Sequence, residues 1–415
     1  MLKNAENIET GVVMAEISEA KIRKIIDSRG NPTVEVDIIS NNITGRAAAP
    51  SGASKGTFEV RDYPEGGIAQ GIIGFARVSK MATGMRLSDQ KGFDSMLHEA
   101  DGTDNLSRVG GNIAVAASLA YAKASAKSDN IELYQSLSSG KTVSLPKPMG
   151  NIIGGGKHAI NGTTMQEFLS IASGKCYSDS AFANVAVHKK TGELIRLKFP
   201  DLSLGLGDEK AWVAPLSDME ALELLSSAIR SASENTGVKI GPAIDLAASE
   251  FCEDGSYTYK DKRLSKEEQI DFMADLAERF GVMSLEDPLD ESDFDGFAEL
   301  TKRIGKDTMI IGDDLFVTNK VRLQKGISIG AGNAILIKPN QIGTLSDMIE
   351  TVELAKHNNY KTIISHRSGE TEDATIAHLA VGLGIEYIKT GTIGGERTAK
   401  HNELIRIEEK LNKSQ

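Results

Sequence analysis

Seven short apolar runs from residue 202 onward each end in an ionisable residue. Leu202–Gly207 runs into Asp208 and Glu209, Ile240–Ile244 into Asp245, and Val282–Leu285 into Glu286 and Asp287. Met309–Gly312 runs into Asp313 and Asp314, and Ala334–Ile337 into Lys338. Thr362–Ser365 runs into His366 and Arg367, and Ile385–Ile388 into Lys389. One such residue alone reads as a solvated strand end or a helix cap. Seven in register point to strands whose C-terminal ends converge on one mouth, where barrel active sites are built.

Asp245, Glu286 and Asp313 are hard oxygen donors with no histidine or cysteine beside them, which suits Mg²⁺ better than Zn²⁺. Crowded carboxylates repel one another, and a divalent cation relieves that repulsion. Lys338 faces the cluster; neighbouring cations lower a lysine's pKa and fit it to act as a base. Glu209, from another strand, supplies the complementary acid, and Arg367 with its neighbours grips a phosphate. Together they serve one reaction class. A proton leaves a carbon beside a carboxylate, the metal carries the enediolate charge, and a β-hydroxyl departs. Asp287 and Asp314 point to the opposite strand face in an extended chain and read as helix caps. Trp212 and Cys252 read as packing residues.

The elements that must hold these residues alternate. Beyond residue 140, short apolar strands are followed by amphipathic helical stretches, the βα grammar of an α/β barrel. The helix predicted over Ser265–Phe280 has Ile270, Met273, Leu276 and Phe280 on one stripe, and Ser265 with Glu268 forms its capping box. Ser217 with Glu220 opens another helix in the same way, and Thr344 with Asp347 a third. Residues 19–140 read differently. Alternating runs at Ala20–Ile26, Thr33–Ile39 and Ile43–Ala49, with Asn41-Asn42 as a hairpin turn, precede a Gly/Ser loop at Pro50–Gly56. An alanine-rich helical region including Ala114–Ala126 follows, so this part reads as a small α+β domain. Residues 1–18 read as a loose leader, and Ser138–Pro148 as the domain boundary.

The net charge is −11, from 47 Lys and Arg against 58 Asp and Glu. An acidic chain argues against sequence-independent binding to nucleic acid or an anionic membrane. A few local cations still suffice for a small anionic substrate. Two cysteines, Cys176 and Cys252, build neither a disulfide framework nor a zinc site, which places the chain in a reducing cytoplasm. No run approaches a membrane span and no signal core is present.

Longer segments carry a family likeness. IIDSRGNPTVEV at 25–36, AAAPSGAS at 47–54, DLAASEF at 245–251, LEDPLDESDFDGFAELTK at 285–302 and GDDLFVTN at 312–319 resemble enolase. So do LIKPNQIGTLS at 336–346, SHRSGETEDATIAHLAV at 365–381, IKTG at 388–391 and ERTAKHNELIRIEE at 396–409. The resemblance implies an enolase-type (β/α)₈ barrel at 141–415 behind an α+β lid domain at 19–140. It implies reversible dehydration of 2-phospho-D-glycerate to phosphoenolpyruvate, with two Mg²⁺ per site. It assigns Asp245, Glu286 and Asp313 to the first Mg²⁺ and Ser54, in the lid, to the second. Lys338 becomes the base at C2; Glu209, helped by Glu167, protonates the departing hydroxyl. Lys389 pairs with the substrate carboxylate, Arg367 and Ser368 hold the phosphate, His366 closes the same side, and His158 stands on a mobile loop near phosphate and leaving group. Enolases form homodimers, some stacked into octamers, and the same is expected here.

Four places depart from the family text. Lys210-Ala211-Trp212-Val213-Ala214-Pro215 follows Glu209 where a shorter glycine-containing stretch is usual. Gly154 stands where asparagine is usual, Lys55 where threonine is usual, and Thr163–Gly207 is weakly similar throughout. These bear on lid closure and leaving-group protonation more than on metal binding. Three other readings stand at this point: a paralogue acting on another carboxylate, a different lyase or racemase of the superfamily, and a non-catalytic binding protein on the same fold.

Overall fold

The computed structural model describes residues 15–53, 56–159 and 162–413; most of the predicted leader, together with Ser54 and Lys55, lies outside the described residues. Strands β1 (Glu19–Ile26), β2 (Pro32–Ser40) and β3 (Ile43–Ala48) form an antiparallel sheet in that order. Val34, Val36 and Ile38 alternate into the core, the period-two pattern of a half-buried strand. Ser40 pairs with Ile43 across the turn, where Asn41 takes φ 51°, a left-handed conformation asparagine tolerates. Four helices follow: α1 (Gly67–Ala82), α2 (Gln90–Asp101), α3 (Gly111–Ser128) and α4 (Leu133–Ser138). The alanines of α3 let it lie close on the sheet. The approach is tightest at Gly45, where an added Cβ would sit 2.0 Å from the Ala120 carbonyl oxygen.

The described end of the leader is not loose. Ile17 is 2% exposed, its N–H donates to the Met85 carbonyl at 2.9 Å, and Ser18 N–H donates to Ile39 at 2.8 Å. Residues 15–18 are held because Ile17 is buried and their backbone pairs with residues 84–87, just after α1.

The second unit is a closed barrel. Its strands are β4 (Lys147–Gly154), β5 (Glu167–Ser173), β8 (Lys239–Asp245), β12 (Ser284–Glu286), β13 (Met309–Gly312), β14 (Ala334–Ile337), β15 (Lys361–Ser365) and β16 (Tyr387–Lys389). The hairpin β6 (Gly205–Leu206)–β7 (Trp212–Val213) hangs from β4, and β16 pairs with β4 to close the ring. Helices α5 (Tyr177–Lys198), α6 (Asp218–Thr236), α7 (Lys266–Phe280), α8 (Phe294–Ile304), α9 (Lys320–Ile329), α10 (Pro339–Ile342), α11 (Leu345–His357), α12 (Thr375–Gly382) and α13 (Gly395–Lys413) lie in the connections and after the last strand. A small sheet of β9 (Cys252–Glu253), β10 (Ser256–Thr258) and β11 (Arg263–Leu264) follows β8.

The expected strict strand–helix alternation fails at the start. β4 and β5 are consecutive and antiparallel, and α5 and α6 follow together. The run predicted as a strand before Glu209 is only the two-residue β6, outside the ring. From β8 onward each strand is followed by helix. The capping boxes at Ser217/Glu220 and Ser265/Glu268 both form, and the Thr344 side chain accepts from Asp347 N–H. Met149, Leu169, Ile171, Ala243, Ile311, Leu336 and Ile363 fill the barrel interior.

The first unit is tied to the barrel. Ser51 and Gly369 exchange backbone hydrogen bonds of 2.8 Å, and Asp373 accepts from Ala48 N–H at 3.0 Å and pairs with Lys123 at 2.9 Å. At the C-terminus, His401 Nδ1 accepts from the Tyr177 hydroxyl at 2.6 Å while its Nε2–H donates to the Gly391 carbonyl at 3.1 Å.

Two outcomes are expected. Gly45→Ala forces the sheet away from α3 and lowers stability by about 1–3 kcal/mol, read as a drop in Tm. Burial pushes His401 from its ordinary 6.5 down to about 4. In that interval the unfolded chain binds a proton the folded chain refuses, so stability falls as pH drops from 6.5 to about 4. Below that both states carry the proton. Urea midpoints at both ends of the window should differ less in His401→Gln than in the wild type.

Candidate active site

Three adjacent strands bring carboxylates into register at one end of the barrel. Glu167 pairs with Asp245, and Asp245 with Glu286. Asp245 and Glu286 are the last residues of β8 and β12, but Glu167 is the first of β5. Because β5 runs backwards, its beginning lies where the other strands end. Asp313 follows β13, Lys338 follows β14, His366 follows β15, and Lys389 ends β16. Glu167, Asp245, Asp313, Lys338, His366 and Lys389 line one cleft, together with His158, Gln166, Glu209, Arg367, Ser368, Asp287 and Asp314, and with Gly52 and Ala53 from the first unit. Every predicted site residue among those described lines this cleft except Glu286, which sits in register beside Asp245 and accepts from Lys389; Ser54 lies outside the described residues.

The triad carboxylates are each met by an ammonium. Lys389 Nζ donates to Asp245 Oδ2 and Glu286 Oε2, both at 2.8 Å, and lies 3.3 Å from Glu167 Oε2. Burial alone would lower Lys389, but Asp245, Glu167 and Glu286 raise it well above the ordinary lysine range. Glu286 is held well above the carboxylate range by burial and by Asp245. Lys338 pairs with Asp313, whose other oxygen accepts from Gln341 Nε2 at 2.9 Å.

This arrangement corrects two expectations. Lys338 is not lowered: burial and the neighbouring Arg367 and Lys389 push that way, but contact with Asp313 outweighs them and raises it. Beside it, one carboxylate oxygen from each of Asp287, Asp313 and Asp314 lies within 4.8 Å of the others. Asp287 and Asp314 do not cap helices. Asp287 accepts from the N–H groups of Asp313 at 3.0 Å and Asp314 at 2.8 Å, pinning the turn that presents Asp313. Burial and Asp313 raise Asp314 to about 8.

A second group gathers His158, Glu167 and Glu209, ligand atoms of which lie within 4.8 Å of one another. His158 Nδ1 is 3.4 Å from Glu167 Oε1 and 3.8 Å from Glu209 Oε1. Burial and the Glu209 charge raise Glu167. Burial would raise Glu209 too, but His366, His158 and Arg397 hold it well below its ordinary value. Two adjacent carboxyls so opposed share one proton. His158 Nδ1 and Gln166 Oε1, on residues that line the cleft, are buried without a hydrogen bond.

On the anion side, the Arg367 fork grips Glu59 of the first unit, at 3.0 and 3.1 Å, and donates to Asn340 Oδ1 at 3.1 Å. Ser368 Oγ accepts from Ala53 N–H at 2.6 Å, fastening the Gly/Ser loop to the mouth. Glu59, Asn340, Gln341, Asn151 and Arg397 were missed in the sequence. The segments carrying Asn340, Gln341 and Arg397 were recognised, but nothing local marks side chains that act through long-range contacts.

The loop that departs from the family text is firmly built. Lys210 takes φ 63°, its carbonyl accepts from His188 Nε2 at 2.9 Å, and Trp212 Nε1 donates to the His188 carbonyl at 2.8 Å. Trp212 also stacks on His188 with centroids 5.2 Å apart. It is a packing residue, as expected, and what it packs is the turn behind Glu209. At Gly154 an added Cβ would meet only Ala211, at 3.5 Å.

Fold and site together define an acid–base enzyme on a TIM barrel. The family model described as Enolase, C-terminal TIM barrel domain, matches residues 142–415, and that described as Enolase, N-terminal domain, matches 17–137. The enolase of Methanothermobacter thermautotrophicus is 50% identical over 402 residues, 95% of this chain and 97% of that protein. Those of Picrophilus torridus and Thermoplasma acidophilum are 49% and 48% identical over 95% of this chain, covering 99% and 98% of their own lengths. The chain belongs to the enolase family and is a lyase of that family.

The donor set fits a hard divalent cation: buried carboxylates, all oxygen, each now balanced by an ammonium. Removing Lys389 leaves Asp245 and Glu286 without a counter-charge, a loss of about 3–5 kcal/mol for a broken buried pair. Lys389→Met in EDTA should melt well below the wild type, and Mg²⁺ should raise its Tm more than it raises that of the wild type. Equal Tm values in EDTA would mean that Lys389 does not balance these carboxylates.

Proposed function

We propose that this chain catalyses the enolase reaction of glycolysis and gluconeogenesis, the reversible dehydration of 2-phospho-D-glycerate to phosphoenolpyruvate and water. The observation that carries the reading is the opposition of base and acid. Around the eight-strand ring, β14, which presents Lys338, stands four strands from β5, which presents Glu167, in either direction. A substrate between them meets a base on one face and the Glu167–Glu209 pair on the other.

In this mechanism Lys338 Nζ takes the C2 proton. Glu209, paired with Glu167, gives a proton to the C3 hydroxyl as the C3–O bond breaks, and water leaves. His158 stands beside that pair. Arg367 and Ser368 hold the phosphate and His366 braces the same wall. Lys389 turns from its carboxylates toward the substrate carboxylate. Asp245, Glu286 and Asp313 would hold the first Mg²⁺, and Ser54 the second. Mg²⁺ bound there would supply positive charge opposite the developing negative charge on the substrate carboxylate. Gly52 and Ala53, already fastened at Ser368, bring the Gly/Ser loop over the cleft to exclude water.

The reading divides the chain into a lid domain at 19–140 and a catalytic barrel at 141–415. It places the protein in the cytoplasm as a homodimer, or an octamer of stacked dimers, with a small phosphorylated carboxylate as its partner and neither nucleic acid nor membrane. No described helix is long and apolar enough to cross a membrane. A different-substrate or binding-only reading is not favoured, because relatives 48–50% identical over 95% of the chain carry the name enolase.

Ultraviolet detection of phosphoenolpyruvate from 2-phosphoglycerate tests it. Product should form with Mg²⁺ and not with EDTA. Lys338→Ala should lose turnover by about 10²-fold or more while keeping its Mg²⁺-dependent rise in Tm. Asp313→Ala should lose both. Retention of most activity by Lys338→Ala would sink the assignment of the base.

A further inference from the structure

Glu209 is gripped on one oxygen only. Its Oε2 accepts from Asn151 Nδ2 at 3.1 Å and from His366 Nε2 at 3.1 Å, while Oε1 faces His158 Nδ1 at 3.8 Å. The other ring nitrogen of His366 meets Arg397, whose NH1 lies 2.7 Å from His366 Nδ1. A guanidinium has donors and no acceptor, and keeps its proton in a protein. His366 Nδ1 must therefore be the unprotonated, accepting nitrogen, and the ring proton sits on Nε2, donating to Glu209.

Arg397 is itself locked. It is 0% exposed at the start of α13, and it also donates to the carbonyls of Arg367 at 2.6 Å and Ser368 at 2.8 Å. A fixed cation against Nδ1 also opposes an imidazolium. The charged groups facing His366 are Glu209, Arg397 and Glu370, and burial with Arg397 outweighs the two carboxylates to bring His366 to about 4. So His366 is a permanent neutral donor and neither gives Glu209 a proton nor takes one from it.

We propose that Arg397 and Asn151 are positioning residues for leaving-group protonation: Arg397 fixes the Nε2–H tautomer of His366, His366 and Asn151 together saturate Glu209 Oε2, and the proton that Glu209 delivers is carried on Oε1. Oε1 is the oxygen on the side of His158 and Glu167, where the leaving hydroxyl must lie. The inference rests on the functional reading above for the direction of proton transfer, but the tautomer does not depend on it.

The test reads the tautomer and the rate separately. Histidine ¹⁵N–¹H correlation spectra of the full chain with Mg²⁺, with His366 assigned through His366→Gln, should show a neutral Nε2–H ring that does not titrate between about pH 5 and 8. Arg397→Lys keeps a cation but puts its donors on one nitrogen, which cannot span the acceptors that NH1 and NH2 reach together. It should let His366 mix tautomers or titrate, and should lower kcat about ten- to a hundredfold with little change in KM, part of what a positioned acid contributes. Asn151→Leu, near in volume, should lower kcat without changing the His366 tautomer. A wild-type His366 that carries its proton on Nδ1, or both protons at neutral pH, overturns the inference. So does wild-type kcat in folded Arg397→Lys and Asn151→Leu. A wild type with the expected tautomer and no turnover overturns the functional reading alone.

Discussion

Burying negative charge is what the rest of this molecule is arranged around. Glu167, Asp245, Glu286 and Asp287 are each no more than 4% exposed, and Asp313 is 7% exposed, all at one end of one barrel. Carboxylates so crowded and so dry would protonate unless positive charge were held against them. The interior beneath is filled largely by apolar side chains such as Met149, Leu169, Ile171 and Leu336. The counter-charge therefore comes from the strand ends themselves, as Lys389 and Lys338. Placed there, the ammonium groups are held by the ladder that holds the carboxylates, and the balance survives only with the barrel closed.

The acid side is built by a different economy. Glu209 sits on a turn outside the ring, and a turn does not fix a side chain as a strand does. It is fixed by a network instead: Asn151 and His366 from the mouth, Arg397 behind His366, and the His188–Trp212 stack under the following backbone. The first unit completes the enclosure, with Glu59 in the Arg367 fork and Ala53 on Ser368. A buried bidentate pair of that kind fixes the orientation of the guanidinium.

The reversed β5 has a consequence for chemistry. A ring of parallel strands presents only C-terminal ends at its mouth. One antiparallel strand adds a residue from its start, so Glu167 sits in register beside Asp245 and opposite Lys338. The same reversal sends two helices, α5 and α6, to bridge from β5 to β8, and the middle of α5 supplies the His188 that stacks on Trp212 behind Glu209.

By itself the sequence determined what is local. The hairpin at Asn41, the caps at Ser217, Ser265 and Thr344, the interior alternation and the strand-end positions of Asp245, Glu286, Asp313, Lys338, Arg367 and Lys389 all follow from turn chemistry and hydrophobic period. Those act within a few residues, and a linear reading contains them. The tertiary structure alone decided which way β5 runs, that Ile17 is buried, and which charges meet. Asp313 raises Lys338 from 25 positions away, and Glu59 reaches Arg367 across 308. Strand direction and the sign of a pKa shift are set by partners distant in the chain, and no local pattern encodes them.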